Sequence, residues 1–212
     1  QALLPRRGEV GEVGVVEDEA VVAGGAQDEE GDEDHVEGDD GQPEVDLDIA
    51  AGHGLFGIEV AKQNPKASVV AVDWAAVLDV ARANARRAGV QDRYETKPGS
   101  AFEVEFGGPH DIALVTNFLH HFDPPTCVRL LKKVNASLKR GGCVAALEFV
   151  PNDDRVSPPM AASFSLTMLA TTAAGDAYTF PELAAMYREA GFAQIAGHPV
   201  PMGPHTVVVG RA

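Results

Sequence analysis

The amino-acid sequence predicts an α/β fold in which a doubly wound, mostly parallel sheet carries helices on both faces. From Val45 onward, short apolar runs alternate with segments whose apolar residues recur at helical spacing, which is the rhythm of repeated βα units. The run IALVTN at 112–117 is apolar throughout, as expected of a central strand buried on both faces. A glycine-rich turn, GHGLFG at 52–57, follows the first strand and opens the first helix.

The elements of the first half can be placed in order. Strands are predicted near 45–49, 68–73, 93–97, 112–117 and 143–149. Helices are predicted at 55–63, 75–88 and 124–138. The last two helices are expected to end near Gly89 and Gly141, because glycine is common just past a helix end.

The pattern changes after Val150. Residues 151–159 are predicted to form a loop, and 160–171 have apolar residues at helical spacing. Thr179 and Glu182 are spaced as a capping box that opens a helix ending near Gly191.

Two final strands are predicted at about 193–198 and 206–211. They are separated by a turn-rich segment, PVPMGP, with no helix between them. Such a short connection cannot make a parallel crossover, so these strands are expected to pair antiparallel.

The charge is distributed very unevenly. Residues 1–45 hold 15 Asp or Glu against Arg6 and Arg7, so 13 of the net −15 charges lie there. Residues 1–44 have no aromatic residue and are rich in Gly, Glu, Asp and Val, which predicts a disordered acidic segment. An acidic interaction tail is one alternative. Another is a misassigned start or an out-of-frame translation, because the composition changes abruptly at Val45 and the chain starts at Gln1.

The remaining domain is nearly neutral, with a net charge of −2. It offers no basic face for nucleic acid, so RNA and DNA are poor candidates as substrates. Two cysteines, Cys127 and Cys143, are too few for a disulfide framework, and the sequence has no signal peptide and no apolar run of about 18 residues that could span a membrane. A reduced cytoplasmic protein with no membrane association is therefore expected.

The glycine turn predicts a nucleotide-like cofactor. The spacing of Gly52, Gly54 and Gly57 matches the dinucleotide fingerprint, yet Asp46 and Asp48 lie on the strand just before it. These carboxylates would repel a pyrophosphate at the helix N-terminus, whereas S-adenosylmethionine carries a sulfonium and an ammonium that they would attract. The charge therefore favours a methyl donor over NAD.

A further carboxylate, Asp73, ends the second strand about 20 residues after the glycines, next to Trp74. A carboxylate at this position can accept hydrogen bonds from both ribose hydroxyls of either cofactor, so it does not discriminate between them. Its structural alternative is a helix N-cap for the helix that opens at Ala75.

Six motifs together resemble the catalytic domain of class I S-adenosylmethionine-dependent methyltransferases. They are DIAAGHG, VAVDW, GSAF at 99–102, DIALVTNFLHHFD, LKRGGCVAALEFVP and FPELAAMYREAGF. The resemblance is closest to bacterial relatives of the caffeate and acetylserotonin type O-methyltransferases and covers about residues 45–212. It implies a Rossmann-like sheet of order 3-2-1-4-5-7-6 with an antiparallel last strand.

The resemblance also implies a cofactor site. Asp48 and Gly52 would bind the methionine end of S-adenosylmethionine, Asp73 the ribose, and Ser100 with Ala101 the adenine. Gly54, Trp74 and Asn117 complete the residues expected to bind the cofactor.

Two of these motif positions depart from many relatives. Ala50 replaces the usual first glycine of the turn, which would be tolerable at a negative φ. Ser100 stands where an acid often reaches the adenine amino group, so weaker cofactor binding is expected.

The resemblance assigns two catalytic residues. A histidine at the position of His120 acts as general base toward the acceptor hydroxyl, which suits an imidazole that titrates near neutral pH. Glu148, at the end of the fifth strand, would orient that base. The structural alternatives are an ordinary buried histidine and a solvated or salt-bridged glutamate. A metal triad of His120, His121 and Asp123 is not expected, because adjacent residues point in different directions at a strand end.

The acceptor side departs more from the family. A second family glutamate falls at about Ala177 and is absent, with Asp176 beside it. The apolar segment 160–169 and the aromatics Phe164, Tyr178 and Phe180 would wall the acceptor pocket, although core packing is the alternative. Relatives dimerise through an N-terminal winged-helix domain that also closes the acceptor site, and the acidic segment is not such a domain. The chain is therefore expected to be truncated or misannotated, or to have lost that half of the pocket.

The sequence thus predicts an S-adenosylmethionine-dependent O-methyltransferase that acts on a hydroxyl of a small, partly apolar acceptor. Two alternatives stay open. One is an NAD-linked oxidoreductase, and the other is a cofactor-binding remnant without catalysis.

Overall fold

The structure, a computed structural model, describes residues 44–212, so the predictions for the acidic segment before Glu44 lie outside the described residues. Among residues 44–212, seven strands form one sheet: β1 (Val45–Ile49), β2 (Ser68–Asp73), β3 (Tyr94–Pro98), β4 (His110–Thr116), β5 (Leu138–Phe149), β6 (Ala193–Pro199) and β7 (His205–Arg211). Their order is β3-β2-β1-β4-β5-β7-β6. The first five strands are parallel, and β7 is antiparallel to both β5 and β6. The predicted order and the antiparallel end of the sheet are confirmed.

In the described part of the chain, five α-helices connect the strands: α1 (Leu55–Gln63), α2 (Ala75–Ala88), α3 (Pro124–Asn135), α4 (Pro159–Thr171) and α5 (Phe180–Glu189). Helix α2 ends at Gly89, whose φ of +73° is the left-handed conformation expected of a glycine stop. At α5, Glu182 accepts a hydrogen bond from the Thr179 backbone N–H at 2.8 Å, as the capping box predicts. Among residues 44–212, no helix is long and apolar enough to cross a membrane.

The fifth strand is longer than the sequence predicts. Helix α3 ends at Asn135 rather than 138, and β5 begins at Leu138, which pairs with the first residue of β4. Gly141 has a φ of +82°, so the chain bends there without leaving the sheet. The C-terminal residue Ala212 holds this segment by accepting from the Gly141 N–H and donating to the Gly142 carbonyl. The glycine predicted as a helix stop is thus a bend within a strand.

The two faces of the sheet are covered differently. Helices α3 and α5 pack on one face over the largest hydrophobic cluster, which includes Leu47, Val115 and Val208. Helices α1 and α2 pack on the other face over a smaller cluster around Leu78 and Ala81. Burying each large apolar side chain in these clusters contributes about 1.5–3 kcal/mol.

Beyond β1, the second face is only partly covered. On β7, Val208 is fully buried, whereas Val207 and Val209 are partly exposed, and β4 and β5 alternate in the same way. The partly exposed row consists of Ile112, Leu114, Cys143, Ala145, Leu147, Val207 and Val209. Within residues 44–212, the helix that reaches this face of β5 is α4. The prediction that strand 112–117 is buried on both faces is therefore wrong for one of them.

Candidate active site

The glycine turn lies between β1 and α1, and its backbone is left-handed at three positions. The φ angles are +54° at Ala50, +57° at Gly52 and +79° at Gly54. The two glycines suit this conformation, and a Cβ at Gly54 would collide with the hydroxyl of Tyr94 beneath the turn. Ala50 is not at the negative φ that would have made its substitution comfortable. The neighbouring residues of the turn hold this alanine in the left-handed conformation.

Asp73 ties the turn to the end of β2. One oxygen of its carboxylate, Oδ2, accepts from the Gly52 N–H at 2.9 Å, and the other, Oδ1, accepts from the Trp74 N–H at 2.7 Å. The N-cap residue of α2 is Trp74, so the alternative role of Asp73 as the cap is not what the structure shows. Each carboxylate oxygen keeps capacity for a further donor, and the Trp74 side chain beside it is 63% exposed. This corner can receive a ribose and a flat ring.

The two carboxylates of β1 are fully buried, and Asp48 is the one that lies beneath the turn. Asp48 Oδ2 accepts from the Gly57 N–H at 3.2 Å in the first turn of α1, and its Oδ1 has no partner among the described residues. Neither oxygen of Asp46 has a partner there. Burial raises the pKa of each carboxyl to about 7, helped for Asp46 by nearby Glu44 and Asp111. Asp48 therefore lies beneath the turn, where it holds the first turn of α1 by a hydrogen bond and places its carboxylate charge close to the turn.

The predicted adenine residues follow β3. The Gly99 N–H donates to the Asp73 carbonyl at 2.9 Å, which places this loop beside the corner formed by Asp73 and Trp74. The Ser100 hydroxyl accepts from the Phe102 N–H at 3.3 Å, and Ala101 is buried. Ser100 is thus partly occupied in holding its own turn.

Asn117 follows β4 and is also left-handed, with a φ of +52°. Its backbone N–H donates to the Leu147 carbonyl at 2.8 Å, while its side-chain amide makes no hydrogen bond with residues 44–212. Asparagine tolerates this conformation better than most residues. The unpaired amide is available to a ligand at the carboxyl end of the sheet.

His120 and Glu148 form a buried pair at the ends of β4 and β5. The distance from His120 Nδ1 to Glu148 Oε2 is 2.5 Å, and the side chains are 6% and 3% exposed. Glu148 Oε1 accepts from the backbone N–H groups of Phe118 and Leu119 at 3.0 and 2.8 Å. Three donors satisfy this carboxylate, which explains how it is buried without a cationic partner. The bond at Nδ1 fixes the tautomer and leaves the lone pair of His120 on Nε2.

Aromatic rings surround His120. The Phe164 ring of α4 meets His120 edge-on with centroids 4.9 Å apart, and it stacks on Phe149 at 3.9 Å. His121 lies beside His120 with centroids 4.4 Å apart, and His205 lies on Phe149 at 4.1 Å. Of these neighbours, Phe149 and His205 were not predicted from the sequence. The antiparallel pairing of the last strand with β5 was the signal, because it places the start of β7 beside Glu148 and Phe149.

The other predicted acceptor residues lie elsewhere. Tyr178 is buried in the main core and donates to the Phe122 carbonyl at 2.5 Å, and Phe180 packs against the same core. Asp176, next to the missing family glutamate, pairs with Arg155 at 3.0 Å. The structure shows no hydrogen bond between this carboxylate and His120. Phe164 is the predicted wall residue that contacts His120.

The metal alternative joined Asp123 to His120 and His121. Asp123 Oδ1 accepts from the Thr126 N–H at 3.0 Å and caps α3. No cluster of three potential metal-binding side chains occurs within residues 44–212.

The strand order, with its single reversed strand, and the glycine turn at the carboxyl edge of β1 define the methyltransferase fold. The sequence profile of the O-methyltransferase domain matches residues 44–193. The chain belongs to the O-methyltransferase domain family.

Individual relatives match over similar ranges. A 3-hydroxy-5-methyl-1-naphthoate 3-O-methyltransferase of Streptomyces sahachiroi is 30% identical over 149 residues, covering 70% of this chain and 43% of that protein. The S-adenosyl-L-methionine-dependent methyl transferase PigF of Serratia sp. is 26% identical, covering 80% and 49%. A Nostoc punctiforme protein, solved as a candidate O-methyltransferase, superposes with a TM-score of 0.79 at 51% identity, covering 81% and 53%. The chain thus spans about half the length of these relatives.

Proposed function

We propose that this protein is an S-adenosylmethionine-dependent O-methyltransferase acting on a hydroxyl of a small, partly apolar molecule. The buried pair of His120 and Glu148, at the carboxyl edge of a methyltransferase sheet, carries the proposal. The catalytic domain proposed here comprises residues 45–212. The matched relatives are O-methyltransferases, so the oxidoreductase alternative is not carried forward.

The chemistry of the donor set fits the cofactor. Asp73 offers carboxylate oxygens for a ribose, Trp74 an exposed ring for adenine stacking, and Ser100 with Ala101 the neighbouring loop. Gly52 and Gly54 let a ligand approach the backbone, and Asp48 beneath them favours a cationic ligand. Bound S-adenosylmethionine supplies an electrophilic methyl group on sulfur. The structure of the relative PigF is described as a complex with SAH, S-adenosylhomocysteine, which supports this assignment.

His120 is the proposed general base. Its Nε2 lone pair would take the proton from the acceptor hydroxyl as the oxygen bonds to the methyl carbon and the carbon–sulfur bond breaks, with S-adenosylhomocysteine as the leaving group, and Glu148 would stabilise the imidazolium that forms. Because Glu148 is held by two backbone N–H groups, it fixes both the tautomer and the ring orientation of the base. Alignment of acceptor and base supplies much of the remaining rate.

An aromatic acceptor fits the surroundings of the base. Phe164 and Phe149 present apolar rings next to His120, and the naphthoate methyltransferase shows that a relative acts on a hydroxylated aromatic ring.

Cys127 and Cys143 form no disulfide, which supports the proposed location in the reducing cytoplasm.

Calorimetric titration with S-adenosylhomocysteine tests the cofactor site. The wild-type chain should bind it, and Asp73→Asn should bind it about tenfold more weakly or worse, because a charge-assisted hydrogen bond is worth about 1.5–3 kcal/mol. NAD is the control ligand and should give no heat. Absence of S-adenosylhomocysteine binding would overturn the proposed function. Cofactor binding without methyl transfer to a panel of phenols would favour the catalytically inactive remnant.

A further inference from the structure

One segment of the chain carries the Phe164 ring to His120. Residues 150–179, which we call the strap, leave the sheet after β5, form α4 and return to the start of α5. The Phe164 ring meets His120 edge-on at 4.9 Å, whereas Leu166 and Leu169 on the other side of α4 are 69% and 77% exposed. Because α4 packs on the domain with one side, the position of Phe164 depends on how the ends of the strap are fixed.

Arg155 ties the two ends of the strap together. Its Nη1 donates to Asp176 Oδ2 at 3.0 Å, and its Nη2 donates to both carboxylate oxygens of Glu182 at 2.6 and 2.7 Å. Arg155 precedes α4, Asp176 follows it, and Glu182 lies in the first turn of α5. Glu182 also accepts from the Thr179 N–H at 2.8 Å, so the arginine is anchored on a residue that the capping box holds in place. One guanidinium thus closes the strap on itself and on α5.

The far end of the strap rests on the backbone of the proposed base. A Cβ at Gly175 would overlap the His120 carbonyl oxygen and would lie 3.0 Å from the carbonyl carbon of His121. The Gly175 N–H donates to Thr172 Oγ1 at 2.8 Å, and that hydroxyl donates to the Met168 carbonyl at 2.8 Å in the last turn of α4. Glycine therefore permits a direct contact between the strap and the His120 peptide, which any larger residue would force apart.

Resting on the proposed methyl transfer, we propose that Arg155 is a positioning residue of that reaction. By clasping the two ends of the strap, it keeps Gly175 seated on the His120 peptide and keeps Phe164 against the His120 ring. The acceptor wall and the base are thereby held at a fixed separation, which an in-line transfer requires. Without the clasp the strap lifts from His120, so acceptor and base lose their alignment while the cofactor corner is unaffected.

Arg155→Met tests the clasp, because methionine keeps much of the side-chain length without the ion pairs. In methyl transfer from S-adenosylmethionine to 3-hydroxy-2-naphthoate, we expect kcat/KM for the acceptor to fall about fivefold, as the loss of a surface ion-pair network predicts. The affinity for S-adenosylhomocysteine should be unchanged. The difference from the wild type should narrow at high ionic strength, because salt weakens the wild-type ion pairs. Arg188→Met is the matched control, since Arg188 is an exposed arginine in the last turn of α5, and it should leave kcat/KM unchanged.

Asp176→Asn weakens the same clasp from the other side. The double variant with Arg155→Met should be no less active than Arg155→Met alone, because both changes act through one contact. Additive losses would mean that the two residues act separately, and they would overturn the inference.

Gly175→Ala tests the contact with the His120 peptide. The His120 Nδ1–H that is hydrogen-bonded to Glu148 should give a low-field proton NMR signal in the wild type, assigned by its loss in His120→Ala. The added methyl should shift this signal and lower kcat by about 10- to 100-fold, because it displaces the base, with unchanged affinity for S-adenosylhomocysteine. Gly142→Ala is the matched control, because a Cβ there would also crowd the backbone, 2.9 Å from the Asp111 carbonyl oxygen, near the amino end of β5. It should leave the signal and kcat unchanged.

Three results would overturn the inference while leaving the proposed function intact. They are a wild-type kcat/KM in Arg155→Met, an equal loss in Arg188→Met, and an unmoved His120 signal in Gly175→Ala. A wild-type chain that binds no S-adenosylhomocysteine and transfers no methyl group would instead overturn the proposed function, and this inference with it.

Discussion

At the scale of single residues, the glycine turn holds Ala50 in a left-handed backbone conformation that is unfavourable for alanine. Ala50 has a φ of +54° and is followed by the Ala51 N–H, which donates to the Val72 carbonyl at 3.2 Å. The left-handed conformation costs an alanine about 1–2 kcal/mol relative to glycine. Backbone strain of this kind is common at functional sites.

Replacing Ala50 with glycine should relieve that strain. Because glycine also loses more entropy on folding, we expect Ala50→Gly to raise the free energy of unfolding by a net of about 0.5–1 kcal/mol, measured by urea denaturation. The control is Gly54→Ala, which introduces both a left-handed alanine and a collision with Tyr94 and should be clearly destabilising. An Ala50→Gly variant that is no more stable than the wild type would show that the turn is unstrained.

Asp46 makes stability depend on pH. Its side chain is fully buried without a partner among residues 44–212, and burial raises its pKa to about 7. A carboxyl with a folded pKa above its unfolded value destabilises the fold increasingly as pH rises from about 4 to about 7, and by a constant amount above that. Asp48 acts with the same sign.

We therefore expect Asp46 and Asp48 to lower the free energy of unfolding between about pH 4 and pH 7 and by a constant amount above that, whereas His110, whose pKa is lowered by burial, acts in the opposite direction. Asp46→Asn removes one of the two charges, so it should be more stable than the wild type at pH 8, by up to about 4 kcal/mol from the linkage relation. At pH 4 the two proteins should differ little. Denaturation curves at both pH values give the comparison, and an equal difference at both would rule out titration of Asp46 as the cause.

At the scale of elements, the sequence predicted nearly every helix and strand, because the apolar periodicity and the glycine stops agree along the chain. The misplaced boundary lies at 136–142, where Gly141 continues β5 through a bend held by Ala212. A contact with the other end of the chain is invisible to a local pattern. The sequence also did not predict that one face of β4, β5 and β7 is only partly covered by helices. An apolar strand predicts burial, but its sequence does not show which element covers each face.

Alternate residues of β7 should respond differently to truncation. Val208 is fully buried under α5, while Val209 is in the partly exposed row on the other face. We expect Val208→Ala to cost about 2 kcal/mol in the free energy of unfolding and Val209→Ala less than about 1 kcal/mol. Urea denaturation of the two variants measures the difference. A cost for Val209→Ala that equals the cost for Val208→Ala would mean that the second face is covered as fully as the first.

At the scale of the whole molecule, strand order brought the site together, and this part could be anticipated. The carboxyl ends of β1, β2, β4 and β5 meet at one edge, so the glycine turn, Asp73, His120 and Glu148 were placed from sequence and resemblance. The bond from Asp73 to the Gly52 N–H could not be placed, because it depends on side-chain geometry across two strands. His205 was not predicted for a related reason. It is far from His120 in the sequence, and the antiparallel pairing of β7 with β5 places it beside Phe149, near His120.

In the proposed reaction, His120 acts as the base of a methyl transfer and does not hold the cofactor. The most direct test compares wild type and His120→Ala in methyl transfer from S-adenosylmethionine to 3-hydroxy-2-naphthoate, with the affinity for S-adenosylhomocysteine measured in parallel. We expect a kcat lower by about 100- to 10,000-fold with cofactor affinity nearly unchanged. An unchanged kcat, or a loss of cofactor affinity as large as the loss of rate, would contradict it.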